Sequence, residues 1–300
     1  MDHPILVLKD PIEFDYSKIV EKVIKKLTRG SPGLDILIER GIETTYELNN
    51  VLSVYYQTAR KAAIGAGFGY GFDINVLFNI QDISKLGWNV LYKSDSETFE
   101  AISAKKVVLV EGGSTKAVLA DKKADKDSTH FISEFPTTAV GGTFDHLHDG
   151  HKILLSMASF LTKRKLIIGI TGPKLLEKKK FAEVLESFEQ RQSKVISFIQ
   201  IISRKEITYE IYKINDVCGP TGYLKDIQAL IVSRESFSGG EYVNNYRSEH
   251  DLPKLDVIVI NVIGKDKIED DKDFDGKLSS TAIREEEYKR IYGKEKGGAI

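Results

Sequence analysis

A single cysteine, Cys218, stands among 300 residues. It has no partner for an internal disulfide, and no group of Cys and His side chains has zinc-ligand spacing, so a reducing compartment is expected, the cytoplasm first and the nucleus second. No GxxxxGK[ST] phosphate loop occurs, and no internal repeat. Apolar runs fall well short of the ~20 residues that cross a bilayer. The first residues, Met1 to Pro11, lack a basic stretch leading into an apolar segment and a small-residue cleavage site, so neither secretion nor membrane insertion is expected. Charge of one sign is also missing: 43 Lys and Arg oppose 44 Asp and Glu. Nothing global attracts nucleic acid or an acidic membrane, and any anion site must be local.

What is present is a core-forming composition, 41% hydrophobic and 29% charged, in a chain long enough for two domains. Asp121 to Ser128 reads DKKADKDS, which has nothing to bury and is expected to be a solvated linker. A boundary there gives an N-terminal domain, residues 1–130, and a second domain, residues 131–300. In the second, Thr137–Val140, Leu166–Thr171, Tyr209–Ile214, Ala229–Ser233 and Asp256–Ile263 are short, apolar and rich in β-branched residues, and read as five buried strands. Helical spacing appears between them, at Ile153, Leu154, Met157, Ala158 and Leu161, then at Val195, Ile196, Phe198, Ile199 and Ile202. Gly240–His250 and Ser280–Tyr292 are two further helices. Alternation of this kind predicts an α/β fold, a Rossmann-like doubly wound parallel sheet, with ligands beyond the carboxyl ends of its strands.

The N-terminal domain, expected to be α/β or α+β, is less legible. A helix is expected over Ser17–Arg29, with Ser17 as its cap and Ile19, Val20, Val23, Ile24 and Leu27 on one face. The run GAGFGYGFD at Gly65–Asp73 has the look of a dinucleotide fingerprint but follows no clear strand. An irregular turn with close backbone approach is the favoured reading.

Chemistry concentrates between the first strand of the second domain and its helix, in GGTFDHLHDGH, Gly141–His151. Gly141 and Gly142 are expected to make a tight turn, and Gly150 to let backbone approach a ligand. His148 and His151, three residues apart at a helix start, can aim at one anion together with the helix amides. With ordinary pKa values near 6.5, both imidazoles can gain charge beside a polyanion.

This segment resembles the HxGH signature of the nucleotidyltransferase superfamily. A second segment, Lys277–Arg284 (KLSSTAIR), is similar to that superfamily's C-terminal [IL]SST-x-IR element. The resemblance is nearest to the eukaryotic and archaeal type of phosphopantetheine adenylyltransferase, through GITGPKLLEKKKFAEVLESFEQR, GPTGY and ALIVSRESFSGG; the first domain resembles the N-terminal extension of fungal members. The family implies transfer of AMP from ATP to 4'-phosphopantetheine, with Mg2+ arriving on ATP. It implies His148, His151 and Thr143 as catalytic residues, Thr143 on the acceptor phosphate or the α-phosphate. Gly142, Phe144, Gly150, Lys179, Arg191, Ser233, Glu235, Ser279, Ser280, Thr281 and Arg284 would bind nucleotide or acceptor. Arg284 in particular is expected to offer a forked cation to phosphate oxygens. No dedicated metal ligands are expected; other proteins of coenzyme A synthesis are candidate partners. Gly264–Lys277, dense in charge, is expected to be a solvated loop without calcium-loop ordering. Two alternatives stay open. One is a different acceptor, such as nicotinamide mononucleotide or a phosphoalcohol with CTP; the other is a catalytically silent assembly subunit.

Overall fold

The computed structural model describes residues 3–80, 87–98, 102–112, 114–116, 135–202, 206–260 and 278–293. The expected linker at 121–128 and the charged loop at 264–277 lie outside these residues. The chain divides into two compact units, Met1–Ile132 and Ser133–Ile300.

In the first unit the elements run β1 (Ile5–Leu8), β2 (Phe14–Asp15), α1 (Ser17–Lys26), β3 (Gly33–Ile38), α2 (Thr45–Gly65), β4 (Asp73–Leu77), β5 (Trp88–Ser94), β6 (Ala104–Val110) and β7 (Thr115–Lys116). Five strands form a parallel sheet in the order β4-β3-β1-β5-β6, while β2 and β7 make a small antiparallel pair. Every residue of β1 and β3 is buried, as expected of central parallel strands covered on both faces. The unit is therefore α/β. Within it Asp35, fully buried, accepts hydrogen bonds from Asn75 Nδ2 and Trp88 Nε1, each at 2.9 Å, and lies 3.0 Å from His3 Nδ1. These contacts hold its carboxyl below the ordinary range against the opposing effect of burial.

Two local expectations need correction. Helix α1 ends at Lys26, and its cap is Tyr16, not Ser17. Asp15 accepts from the Ser17 amide and hydroxyl and so takes over the capping task, while the backbone turns extended at Leu27 and ends the helix there. The glycine run at Gly65–Asp73 is a turn joining α2 to β4, but without close approach. A Cβ at Gly65, Gly67, Gly69 or Gly71 would meet nothing within 4 Å, and Gly67 alone of these has the left-handed φ, +83°, that favours glycine.

The second unit runs β8 (Phe135–Gly142), α3 (Asp149–Leu161), β9 (Thr162–Thr171), α4 (Phe188–Ile202), β10 (Thr208–Ile214), β11 (Ala229–Ser233), α5 (Phe237–Glu249), β12 (Asp256–Ile260) and α6 (Ser280–Tyr292). Its five parallel strands lie in the order β10-β9-β8-β11-β12. Sequence order reverses between β8 and β11, which makes their carboxyl ends the topological switch point where doubly wound sheets take ligands. The anticipated strands are all present, β8 and β9 longer than expected; residues 261–263 of the fifth lie outside the described residues. Helix α3 buries Ile153, Leu154, Leu155, Met157, Ala158 and Leu161 against the sheet. Helix α5 begins three residues before the expected Gly240, because Gly239 and Gly240 sit inside it. A Cβ at Gly240 would lie 2.8 Å from Val257, so glycine there serves close packing on β12.

Candidate active site

Strand β8 carries Gly141 and Gly142 in extended pairing with Gly169 and Ile170 of β9. The glycines thus end a strand and do not themselves make the tight turn. Left-handed backbone falls instead on Phe144 (φ 51°) and His146 (φ 44°). Such conformations cost about 1–3 kcal/mol each for non-glycine residues and gather at functional sites. The Phe144 ring is fully buried, and a Cβ on Gly142 would stand 3.1 Å from it. A side chain at position 142 would thus crowd the Phe144 ring, and burial of that ring offsets the strained backbone.

Beyond this turn His148 is the cap residue of α3, Gly150 its second residue, and His151 lies in its first turn. The two imidazoles stack with centroids 3.9 Å apart, and Phe144 flanks His151 at 5.3 Å. His151 keeps some exposed surface, yet its Nδ1 is closed to solvent and has no hydrogen-bond partner among the described residues. Burial holds the His151 imidazole well below its ordinary 6.5, and the positive potential of His148 pushes it the same way. With no anion bound, the ring is held neutral near neutral pH. The unfolded chain binds a proton near pH 6.5 that the folded chain refuses, so stability should fall as pH drops below that value towards the depressed pKa. Denaturant melts from pH 8 to 5 should show this slope, and it should flatten in His151→Asn.

A fully buried carboxylate organises the rest. Asp145 Oδ1 accepts the Glu186 amide at 2.9 Å, and Oδ2 accepts Arg284 Nη1 at 2.5 Å. Its main-chain oxygen accepts the Ser280 hydroxyl at 2.8 Å. Arg284, 1% exposed, also gives Nε to the Lys180 carbonyl and Nη2 to the Thr281 hydroxyl. The arginine expected to present a fork to phosphate is thus turned inward, because a carboxylate with no access to water needs a cation beside it. Arg191 behaves alike. Its three nitrogens donate to the carbonyls of Glu186, Thr143 and Thr171, and burial lowers its guanidinium from the ordinary value, with Asp145 and Glu186 opposing. Ser279 caps α6 by accepting the Ala282 amide at 3.2 Å.

The arrangement is a strand-turn-helix with paired histidines at the helix start, faced by a hydroxyl-rich helix start tied to the same turn. Residues 139–286 match the family model described as cytidylyltransferase-like. A phosphopantetheine adenylyltransferase of Saccharomyces cerevisiae is 36% identical over 277 residues, covering 89% of this chain and 87% of its own length. The chain belongs to the phosphopantetheine adenylyltransferase family. A family member from Pyrococcus abyssi is 37% identical over 153 residues, 91% of its length but 51% of this chain. The yeast relative's match is too long to lie within the second unit, whereas the archaeal one has no room for both.

Against this family's pattern the remaining candidates are placed as follows. Thr143 sits half-buried in the turn, its carbonyl held by Arg191 at 2.7 Å. Ser233 ends β11 across the switch point, its hydroxyl 3.3 Å from that of Ser236, with Glu235 exposed in the following 3-10 turn. Lys179, Lys174, Lys178 and Lys180 are all exposed. Lys174 lies in the first of two short 3-10 turns, Pro173–Leu175 and Ala182–Val184, and Lys178, Lys179 and Lys180 lie between them, ahead of Phe181 in left-handed backbone (φ 55°). Sequence reasoning missed Asp145, Glu186 and His146 as parts of the framework. His146 Nε2 lies 2.9 Å from the Val184 carbonyl, and its amide donates to Glu186. Asp145 stood inside the motif in plain view, but its complete burial is a tertiary property that motif spacing does not carry.

Proposed function

We propose that the second unit transfers AMP from ATP to 4'-phosphopantetheine, giving dephospho-coenzyme A and pyrophosphate. The observation that carries this reading is the stacked His148–His151 pair at the start of α3, directly after the central strand β8, in a chain of this family. The acceptor's phosphate oxygen attacks the α-phosphorus of ATP, the bond to the bridging oxygen of pyrophosphate breaks, and no enzyme nucleophile intervenes. Catalysis of this type is positioning plus stabilisation of charge on phosphate oxygens. A neutral His151 serves it as a hydrogen-bond donor. His148, the amides at the starts of α3 and α6, and the Ser279–Thr281 hydroxyls hold the triphosphate, with Thr143 on the transferred or accepting phosphate. Lys179, after β9, and Ser233 and Glu235, at the end of β11, would bind nucleotide or acceptor. Arg191 and Arg284 act by fixing the loops.

Magnesium would come with the nucleotide, held by phosphate oxygens and water, and would neutralise charge on the triphosphate. Among the described residues no group of three His, Cys, Asp or Glu is disposed to hold a metal ion by itself. No helix among the described residues is long and apolar enough to cross a membrane, and the one cysteine is free, so we place the reaction in the cytoplasm.

The test is pyrophosphate release with ATP or CTP against phosphopantetheine, nicotinamide mononucleotide and phosphocholine. ATP with phosphopantetheine should be the productive pair. Release with CTP and a phosphoalcohol alone, or with no pair, would overturn the assignment. Because a relative bearing this activity's name spans only about half of this chain, a folded fragment starting at residue 131 should keep pyrophosphate release within about threefold of the full chain. Loss of turnover in such a fragment would show the N-terminal unit to be part of the catalyst.

A further inference from the structure

We infer that Asp145 is a positioning residue for nucleotide binding, the buried carboxylate that sets the [IL]SST-x-IR helix against the histidine turn; this rests on the adenylyl-transfer reading of the site.

The argument starts from how α6 is held. Arg284 is its one buried residue, so the helix has no apolar stripe to dock it. Its contacts to the rest of the unit recur at helical spacing instead. Ser280 donates to the Asp145 carbonyl, Arg284 pairs with the Asp145 carboxylate, Glu287 lies 3.6 Å from His146 Nδ1, and Tyr288 meets the Phe181 ring at 5.5 Å. Positions 280, 284, 287 and 288 share one helix face. Two of the four reach Asp145.

The same carboxylate reaches a third segment. Its Oδ1 holds the Glu186 amide, and Glu186 in return accepts the His146 amide at 2.8 Å and pairs with Lys194 at the other side. Arg284 extends the link to the Lys180 carbonyl, in the lysine-bearing segment. The histidine turn, the hydroxyl-bearing start of α6 and the lysine segment are therefore registered through one side chain. The first two hold the triphosphate in the proposed reading, and Lys179 of the third is expected to bind nucleotide or acceptor. A hydrophobic contact would allow α6 to slide, whereas charge-assisted bonds of fixed direction do not.

The consequence is a selective one. Weakening Asp145 should loosen the grip on the nucleotide, which α6 supplies, and leave the acceptor's affinity nearly unchanged. In Asp145→Asn the side chain keeps its size but loses its charge, and its amide NH2 must face one of two donors. Calorimetric titration with MgATP and, separately, with phosphopantetheine should show ATP affinity about 10-fold weaker and phosphopantetheine affinity within about twofold of the unchanged chain. Asp145→Asn combined with Arg284→Met should bind ATP no more weakly than the worse of the two single variants, because both act through one contact.

A merely structural Asp145 would lower the folded fraction and leave both affinities of the folded protein alone. That result, equal losses for both ligands, or fully additive losses in the double variant would each overturn the inference. Should Arg284→Met fail to fold, the double variant, in which no buried charge is left unpaired, keeps the comparison with Asp145→Asn decisive. Because the readout is binding, it separates from the catalytic reading: a chain that binds ATP through Asp145 but releases no pyrophosphate would refute the latter alone.

Discussion

His151→Ala should lower kcat for adenylyl transfer by about 100-fold or more while changing the apparent affinity for phosphopantetheine much less. The reason is where charge develops. As the α-phosphorus is attacked, negative charge spreads over its oxygens, and a neutral imidazole held in place by the Phe144 and His148 rings donates to it without reorganising. The cost to folding should be small, about 1 kcal/mol or less, since removal of the ring also removes a buried Nδ1 that has no partner among the described residues. Steady-state kinetics with a denaturant melt of the same preparation check both halves. An unchanged kcat in the folded variant would remove His151 from the chemistry. A loss of stability much above this, with kcat retained, would make it a structural histidine.

The second large effect falls on stability, and it reverses the expectation that Arg284 offers its guanidinium to ATP. Arg284→Ala should cost about 3–5 kcal/mol, because it strands the Asp145 carboxylate in a site without access to water. It also removes the only buried residue of α6. A rise in KM for ATP should follow from the undocked helix. The measurement is a urea or thermal melt: a full-strength melt with only a raised KM would show that the pair contributes nothing to the fold and would restore the direct phosphate role.

These two residues also mark what the sequence could and could not reveal. The turn-helix histidines were legible because both the glycine-strand context and the three-residue spacing are local, and α6 was found at its true boundaries, Ser280–Tyr292, because a serine cap is a local signal. The five strands of the second unit were legible because buried parallel strands are continuous apolar runs. The first unit's five-stranded parallel sheet was not, because β1 has only four residues and β3 carries a buried Asp35 that reads as a turn former. Which arginine faces a ligand and which a carboxylate depends on partners far apart in the chain, Arg284 on Asp145 and Arg191 on Thr143 and Thr171. No pattern within a segment encodes that choice. The left-handed backbone at Phe144 was hidden for another reason: a bulky aromatic residue does not announce a positive φ.

The central claim is that the second unit moves the α-phosphoryl group, as AMP, onto the acceptor phosphate. Incubation with ATP labelled at the α-phosphorus and unlabelled phosphopantetheine tests it most directly. The label should appear in dephospho-coenzyme A, one per molecule, with unlabelled pyrophosphate released in equal amount and no coenzyme A formed. Label remaining in ADP, or a product carrying only the γ-phosphoryl group, would contradict the account.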